Sequence, residues 1–479
     1  YGVDAIRILE GERPIFFSTN FGREALFSYL VAIYVALFGI VPQAMYVTSA
    51  IVGILTVPAV YLVAEELLAT EEGAWGRFGG LLAALVVAIS YWHLNWSRFG
   101  VRAILLPLFA AVTCFLLWRA LRTDSKGYFA AAGFFLGLSM YTYQAARLLP
   151  LLVILGLVYV AVSRRRLTRR DLVNLFIVGL VALVVFAPLG YYFLTNPGSF
   201  SQRIGQTFIL NESQKPTENL QALANGFMDT LLAFSTQGDQ EPTTNLPGRP
   251  ILNVFLSVLF FGGVFISLLR LKKPEYLFVL TWLAVMLIPA VLSQQGPIAK
   301  RAIGTLPAVA VSIAIGALGP WEMLNKRVTT RGSRWGKGVK VALGAAIVAG
   351  FVYSAALTYY DYFVVWARDP DQFTHFEVGP TAIGQYLATL PPEVAVYVSP
   401  VPPEHPSVIF NSRARPEIKG YDGRACLVVP EQSKLGATYV VVPGEDPNSL
   451  GLLHAYIPQG EIVAEGPLHY QQPYFLAFH

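Results

Sequence analysis

The chain has 479 residues, of which 54% are hydrophobic and only 14% are charged, and its mean hydropathy is +0.52. This composition excludes a soluble enzyme of this length and predicts a polytopic α-helical membrane protein. The formal net charge of +5 does not indicate nucleic-acid binding, because the basic residues lie in short runs between apolar segments, where they orient helices.

The first stretch, residues 1–42, combines acids and arginines with a short apolar run, and we expect it to border the active site as an outer loop with surface helices. The run from Ala25 to Gly39 has 15 residues, fewer than the roughly 20 that a membrane-spanning helix needs. It is therefore predicted to lie along the membrane surface. The chain begins at Tyr1 without a signal peptide, which suggests that N-terminal residues are missing.

The next part of the chain is predicted to be a transmembrane helical domain, residues 43–360, with about ten spans. Alternate connections, beginning with residues 65–77, are assigned to the cytoplasm; the inner loops then contain 18 Lys and Arg residues, and the outer connections contain 8. This bias sets the orientation and puts the chain after Tyr360 outside. The predicted spans are 43–64, 78–97, 103–118, 127–146, 148–163, 172–194, 250–269, 276–293, 302–321 and 341–360.

Two further regions lie on the predicted outer side. The loop 195–249 has apolar residues at helical spacing from Leu220 to Phe234, and we expect this stretch to lie on the membrane surface or to cover a cavity. The tail 361–479 has more proline and charge. Its β-prone runs, at Val394 to Val398 and Tyr439 to Val442, alternate with helix-like sequence near Thr381 to Leu390, which predicts a small extracytoplasmic α/β domain.

Basic residues also occur in the tight outer turns, against the inside bias. Arginine binds phosphate bidentately, so cations at the outer mouth of a helix bundle have a natural ligand in a lipid phosphate. Snorkelling to lipid headgroups is the alternative for each side chain alone. For the group we favour a phosphate site, because charge at a membrane cavity is costly unless it is used. The residues are Arg98, Arg102, Arg147, Lys300 and Arg301, with no acid in the same turns.

Other side chains are candidates for the same site. Arg23 precedes the surface helix, and Tyr143 is predicted to share a helical face with Arg147. His93 and Trp96, near the outer end of span 78–97, are more simply explained as structural residues. We expect the phosphate site to include Arg23 and Tyr143.

Transfer of a group to a hydroxyl requires a base, for which a carboxylate is the natural candidate. Each outer acid is, taken alone, more simply a solvated charge; they are Asp4, Glu10, Glu12, Glu24, Asp239 and Glu241. The sequence contains no GxSxG elbow, P-loop or strand-associated GxGxxG, and no HExxH or Cys/His spacing for zinc. We expect no cofactor and no metal site, although Asp239 and Glu241 would allow a divalent metal.

A family resemblance rests on several sequence stretches. They are AIRILEG in the first loop, a basic residue before an amphipathic helix that ends in LFG, the span that follows it up to Leu68, and the motifs SRFGVR, YTYQAARLLP and NLPGRP. In this order they resemble membrane glycosyltransferases of the C superfamily, of the protein-mannosyltransferase and aminoarabinose-transferase kind. In topology the resemblance extends to about Tyr360.

The resemblance implies a donor sugar on a polyprenyl phosphate, an active site on the outer face, and a catalytic Asp-Glu pair a few residues upstream of the position that Tyr1 matches. The catalytic acid is therefore expected outside this sequence, and Asp4, Glu24 and Asp239 are weak candidates. Arg23 matches the basic residue near the donor phosphate, whereas Glu24 stands where a proline is usual. The resemblance also implies that residues 25–39 lie flat on the outer surface.

The residues and the resemblance lead to one hypothesis. A multi-pass protein of the plasma (inner) membrane of a bacterial cell envelope transfers a sugar from a polyprenyl-phosphate lipid to an acceptor (a lipid, a glycan or a protein), with inversion. A transporter or flippase of an anionic or lipid-linked substrate is the alternative. An oligosaccharide-transferring enzyme of the same superfamily is a second one, suggested by YYDYF at Tyr359 to Phe363.

Overall fold

A computed structural model describes the chain except for a few short segments. The residues outside the description are 20–21, 70–74, 164–167, 202–208, 210–215, 294–296, 332–333, 414, 416 and 430–435. The chain divides into two compact units: the smaller comprises 1–12, 31–44 and 368–479, and the larger comprises 13–30 and 45–367. Residues 1–42, predicted to be one outer loop, are thus distributed over both units.

In the described residues of the larger unit, the regular elements are helices and one short hairpin, Phe16–Phe17 paired antiparallel with Arg23–Glu24. The 3₁₀ turns Arg102–Ile104, Gln144–Leu148 and Ile303–Thr305 precede three of its helices. The described helices between residues 26 and 365 are Leu26–Phe38, Gln43–Leu68, Trp75–Ile89, Tyr91–Arg98, Leu105–Thr123, Lys126–Ser139, Leu149–Ser163, Arg169–Thr195, Pro216–Ser235, Val254–Leu269, Pro274–Val291, Ile298–Arg301, Leu306–Arg331, Arg334–Tyr359 and the π-helical turn Tyr360–Val365.

Six of the described helical segments are long and apolar enough to cross a membrane, by length and composition. A seventh span results if Trp75–Ile89 and Tyr91–Arg98, which meet at an angle of 57°, are counted together. The protein is therefore an integral membrane protein. The six segments are Gln43–Leu68, Arg102–Thr123, Arg169–Thr195, Pro274–Val291, Ile303–Leu324 and Gly338–Arg368.

The predicted number of about ten spans is not confirmed, because three of the predicted spans correspond to short helices. Lys126–Ser139 has 14 residues, Leu149–Ser163 has 15 and Val254–Leu269 has 16. At 1.5 Å per residue, these helices are roughly 21 to 24 Å long, shorter than a hydrocarbon core of about 30 Å. The apolar helix Leu26–Phe38, with 13 residues, is also too short to span, as expected for the segment 25–39.

The helices Val254–Leu269 and Leu306–Arg331 pack backbone to backbone. A methyl group on Gly263 would overlap the carbonyl of Ser312, and one on Gly316 would overlap the carbonyl of Leu259. Small residues at such a crossing allow helix backbones in a membrane to approach closely. This contact fixes the helix that follows the turn containing Lys300 and Arg301.

Gly263→Ala is expected to lower the free energy of unfolding by about 2 kcal/mol, because the added methyl group forces the two backbones apart. Gly262→Ala is the matched control, since a methyl group there has no neighbour within 4 Å. SDS-induced unfolding of the two detergent-solubilised variants measures the difference. Equal stabilities of the variants would show that the helices do not pack at Gly263.

The smaller unit contains a five-stranded mixed sheet, which confirms a small C-terminal sheet region. The strand order is Ile418–Gly420, Ala395–Ser399, Ala437–Val441, Leu476–Phe478 and Ile462–Glu465; the first three strands are parallel, and the last two join antiparallel. A hairpin pairs Leu468–His469 with Gln472–Pro473. The helices of this unit outside the 31–44 segment are Gly2–Leu9, Gln372–His375, Val378–Leu387, Pro406–Asn411 and Ser449–Tyr456.

Both faces of the sheet are packed. Side chains alternate between the two faces along each strand, and each face has its own apolar cluster. Val396 and Val398 pack on one face with Leu387, whereas Tyr397 and Tyr439 pack on the other face. The rings of Tyr397 and Tyr439 stack with their centroids 5.1 Å apart. The β-prone runs recognised in the sequence are thus the two central parallel strands.

Candidate active site

The second strand of the N-terminal hairpin consists of a basic residue, Arg23, and an acidic residue, Glu24. In its register Phe17 lies opposite Arg23, and Phe16 lies opposite Glu24. The chain then enters the helix Leu26–Phe38, and the backbone N–H of Leu26 donates to the carbonyl of Tyr141 at 3.2 Å. This bond holds Glu24 close to the segment that contains Tyr143 and Arg147.

Glu24 is buried between two arginines. One carboxylate oxygen lies 3.1 Å from Nε of Arg102, and the other accepts a hydrogen bond from Nη2 of Arg147 at 3.4 Å. Glu24 and Arg102 are each 3% exposed, and the Arg147 side chain is 17% exposed. We call Glu24, Arg102 and Arg147 the arginine cluster. The turns that contain these arginines have no acid of their own, and the fold supplies one from a distant segment.

Further contacts hold each guanidinium group in place. Arg147 donates to the carbonyl of Phe200 at 2.5 Å, and the ring of Phe200 lies 4.2 Å from its guanidinium carbon. Arg102 lies 5.8 Å from the ring of Tyr143. Arg23 donates to the hydroxyl of Thr19 and lies 5.9 Å from the ring of Phe17. Aromatic faces attract such cations, so the cluster is ordered by rings as well as by Glu24.

The position of Tyr143 differs from the prediction. Tyr143 and Arg147 do not share a helical face, because the helix Lys126–Ser139 ends before them. Tyr143 is extended, with φ −153° and ψ 148°, and Arg147 lies in the 3₁₀ turn Gln144–Leu148. The predicted span 127–146 is interrupted here, and the break turns the Tyr143 ring toward Arg102.

A second group of polar residues surrounds Asp239. Its carboxylate accepts the backbone N–H groups of Ile298 at 2.7 Å and Ala299 at 2.9 Å, which lie at the start of the short helix containing Lys300 and Arg301. Burial raises the pKa of Asp239 above the ordinary range of an aspartate, and the two N–H groups and Arg301 oppose this effect. Asp239 thus fixes the start of the helix that contains these cations.

The loop that contains Asp239 is anchored to the helix Tyr91–Arg98. The hydroxyl of Tyr91 accepts the N–H of Leu246 at 2.9 Å, and the Asn95 amide donates to the carbonyl of Thr244 at 2.5 Å. Arg249 stacks on Tyr91, 3.6 Å from the ring centroid, and donates to Asp361 at 2.7 Å. The half of the long loop nearer to residue 250 is therefore packed against the bundle.

Contacts of the other predicted residues are with different partners. Arg98 is exposed and lies 5.7 Å from the ring of Tyr362 and 5.2 Å from that of Phe363. Lys300 lies 5.8 Å from the ring of Trp96. Asp4 belongs to the smaller unit and lies 3.6 Å from the terminal amine of Tyr1. Seven residues were predicted to bind the phosphate. Among them, the contacts described above link Arg102 to Arg147 through Glu24, and Arg102 to the ring of Tyr143.

Two residues that are important in this geometry were missed in the sequence. Arg249 and Asp361 form an ion pair between the loop and the end of the helix Arg334–Tyr359. Arg249 lies in NLPGRP and Asp361 in YYDYF, two stretches that were noted for their resemblance to known families. Their opposite charges are compatible with an ion pair, but 111 residues lie between them in the sequence, so the charges alone did not predict the pair. His93, interpreted as structural, is 4% exposed, and its Nδ1 lies 3.1 Å from the carbonyl of Val87.

Comparison with known proteins gives a family match for part of the chain. Residues 25–192 match the family model described as dolichyl-phosphate-mannose-protein mannosyltransferase. This region includes Arg98, Arg102, Tyr143 and Arg147. A search of curated proteins finds no match.

Solved structures show the same fold over nearly the whole chain. ArnT from Cupriavidus metallidurans bound to undecaprenyl phosphate matches with a TM-score of 0.60 at 14% identity, covering 99% of this chain and 92% of that chain. Its apo state matches with a TM-score of 0.54 at 14% identity, covering 94% and 86%.

An archaeal oligosaccharyltransferase also has this fold. AglB from Archaeoglobus fulgidus, in complex with an inhibitory peptide and a dolichol-phosphate, matches with a TM-score of 0.51 at 15% identity. The match covers 87% of this chain but only 59% of AglB. The resemblance found in the sequence is confirmed: the chain has the fold of ArnT and AglB, and residues 25–192 match the family model of dolichyl-phosphate-mannose-protein mannosyltransferases.

Proposed function

We propose that the protein transfers a sugar from a polyprenyl-phosphate carrier to an acceptor at the extracytoplasmic face of the plasma membrane, with inversion at the transferred carbon. The observation that supports this proposal most directly is the arginine cluster, in which two guanidinium groups share the Glu24 carboxylate. A structural relative with this fold was solved with undecaprenyl phosphate bound. A lipid phosphate is an anion that fits such a cluster.

The chemical task of Arg102 and Arg147 follows from the bond that breaks. When the acceptor hydroxyl attacks the sugar, the bond between the sugar and the phosphate oxygen breaks, and the electron pair goes to the phosphate. Fixed guanidinium donors stabilise this growing negative charge and cost little reorganisation, because contacts with Glu24 and Phe200 already orient them. Arg147, the more exposed of the two, contacts the phosphate in this proposal.

Glu24 has the role of an orienting residue in this mechanism. Each of its two carboxylate oxygens already faces a guanidinium group, so Glu24 is poorly placed to remove the proton from the acceptor. Asp239 is occupied by the backbone N–H groups of Ile298 and Ala299. We therefore assign the proton transfer to neither of these two carboxylates.

Release of the carrier phosphate tests the proposed function. Full-length protein in nanodiscs is given polyprenyl-phosphate-linked hexoses and pentoses, including mannose and aminoarabinose, together with a mixture of lipid, glycan and peptide acceptors. We expect the appearance of free polyprenyl phosphate and a glycosylated acceptor. Movement of the intact lipid-linked sugar across the bilayer without its consumption would instead support the flippase alternative.

A further inference from the structure

The smaller unit contains a cavity of about 470 Å³. Its wall comprises the helix Gln372–His375, the start of the helix Val378–Leu387, and His405 before the helix Pro406–Asn411. The segment after the strand Ala437–Val441 and the hairpin of Leu468–His469 and Gln472–Pro473 complete it. This volume is in the range of small-molecule sites. The cavity lies entirely within the smaller unit and includes none of the residues that the proposed transfer reaction uses.

One side of the cavity is aromatic. The rings of Phe373 and His469 stack in parallel, with centroids 4.3 Å apart at 13°, and Tyr474 lies 5.4 Å from Phe373. Gly379 makes this arrangement possible, because a methyl group at its Cα would overlap the Tyr474 ring. Aromatic faces are apolar and carry partial negative charge. They therefore suit a ligand with a flat patch of C–H groups.

The other lining groups are mainly hydrogen-bond acceptors and neutral polar groups. Glu377 and Glu445 contribute carboxylates, which accept hydrogen bonds, and Gln472 contributes an amide. One oxygen of Glu377 already accepts from the Ser407 hydroxyl, and the other lies 3.9 Å from Nε2 of His405, which also lines the cavity. Burial and the nearby charge of Glu445 raise the pKa of Tyr474 to about 12, so its hydroxyl remains a donor. Within the described part of the chain, no lysine or arginine lines the cavity, and Nε2 of His469 is buried without a hydrogen-bond partner.

The hairpin that supplies His469 and Gln472 has a strained turn. Tyr470 and Gln471 have φ values of 48° and 67°, in the left-handed region that glycine favours, and Glu377 has a φ of 53°. Non-glycine residues in this region cost free energy, and such residues are enriched at ligand-binding positions. The turn places His469 and Gln472 opposite each other at the cavity wall.

We propose that this cavity binds a neutral saccharide. A sugar ring has one face of C–H groups, which fits the wall of Phe373 and Tyr474, and a rim of hydroxyls, which donate to Glu377 and Glu445 and bond with Gln472. The two carboxylates disfavour phosphate or other anions in the same place. This inference goes beyond the proposed transfer reaction, because it assigns a binding site in the smaller unit and requires no catalysis.

Binding of neutral oligosaccharides to the full-length protein tests the proposal. The protein is placed in nanodiscs, because sugar-headed detergents would compete, and is titrated with mannotetraose, maltotetraose, cellotetraose and chitotetraose by calorimetry and saturation-transfer NMR. We expect saturable binding of at least one of them. Glu445→Gln and Gly444→Gln are expected to weaken it about tenfold, which corresponds to about 1.4 kcal/mol.

Matched controls separate the cavity from the rest of the unit. A side chain at Gly444 enters open space and competes with an occupant; a side chain at Gly451 also meets no neighbour within 4 Å but lies outside the cavity lining. Gly451→Gln, and Glu393→Gln as the control for Glu445, should bind like the unmodified protein. Absence of binding by all four oligosaccharides, binding unaffected by both cavity variants, or binding of spermidine in place of saccharides would overturn the proposal.

Discussion

Arg102→Ala is expected to lower the free energy of unfolding by about 3 kcal/mol, because it leaves a buried carboxylate with one partner instead of two. Glu24 and Arg102 are each 3% exposed, and the remaining contact of Glu24 with Arg147 is the longer one, at 3.4 Å. Truncation also removes the side chain that contacts the Tyr143 ring. SDS-induced unfolding of the detergent-solubilised protein measures the loss.

Two further variants test whether the loss comes from the ion pair. In Glu24→Gln with Arg102→Ala, the carboxylate that has lost one of its two partners is also absent. The double variant should therefore be more stable than the sum of the single effects predicts, by about 1 kcal/mol or more. Arg170→Ala breaks an exposed pair with Asp124 and should change stability by less than about 1 kcal/mol. A stability of Arg102→Ala equal to that of Arg170→Ala would mean that the buried pair does not form.

Local sequence patterns predicted the elements of the fold well. Long apolar runs predicted the helices, and the β-prone runs at 394–398 and 439–442 predicted the strands Ala395–Ser399 and Ala437–Val441. Both kinds of prediction depend on residues that are neighbours in the chain. The end of the helix Lys126–Ser139 was missed, because the apolar composition continues past Ser139 while the backbone leaves the helix.

The arrangement of the candidate site could be predicted only in part. The residue types were recognised, since cations in outer turns stand out against the inside bias. Their partners were not, because Glu24 lies 78 residues from Arg102 and 123 from Arg147 in sequence, and a single sequence contains no signal for such pairs. The same holds for Arg249 and Asp361. Physical principles required a partner for each buried charge but did not identify it.

The second large effect concerns catalysis. Arg147→Ala in the full-length protein is expected to lower the rate of sugar transfer by a factor of about 10² to 10³. This is the usual effect of removing one hydrogen-bond donor that stabilises developing negative charge. Arg147→Lys restores the charge but not the planar fork and should recover only part of the rate. Turnover of polyprenyl-phosphate-linked sugar in nanodiscs measures both variants, with Arg170→Ala as the control that keeps full activity.

Arg147 could stabilise the phosphate in the transition state or only bind the sugar-carrying lipid, and the kinetic parameter that changes distinguishes these two roles. The phosphate carries more negative charge in the transition state than in the bound donor, so loss of a guanidinium that stabilises this charge lowers kcat. A guanidinium that only anchors the donor would change KM and leave kcat intact. We expect the larger change in kcat for Arg147→Ala and a smaller total effect for Arg98→Ala, because Arg98 is exposed and packs on Tyr362 and Phe363. Full activity of both variants would refute phosphate stabilisation by these arginines.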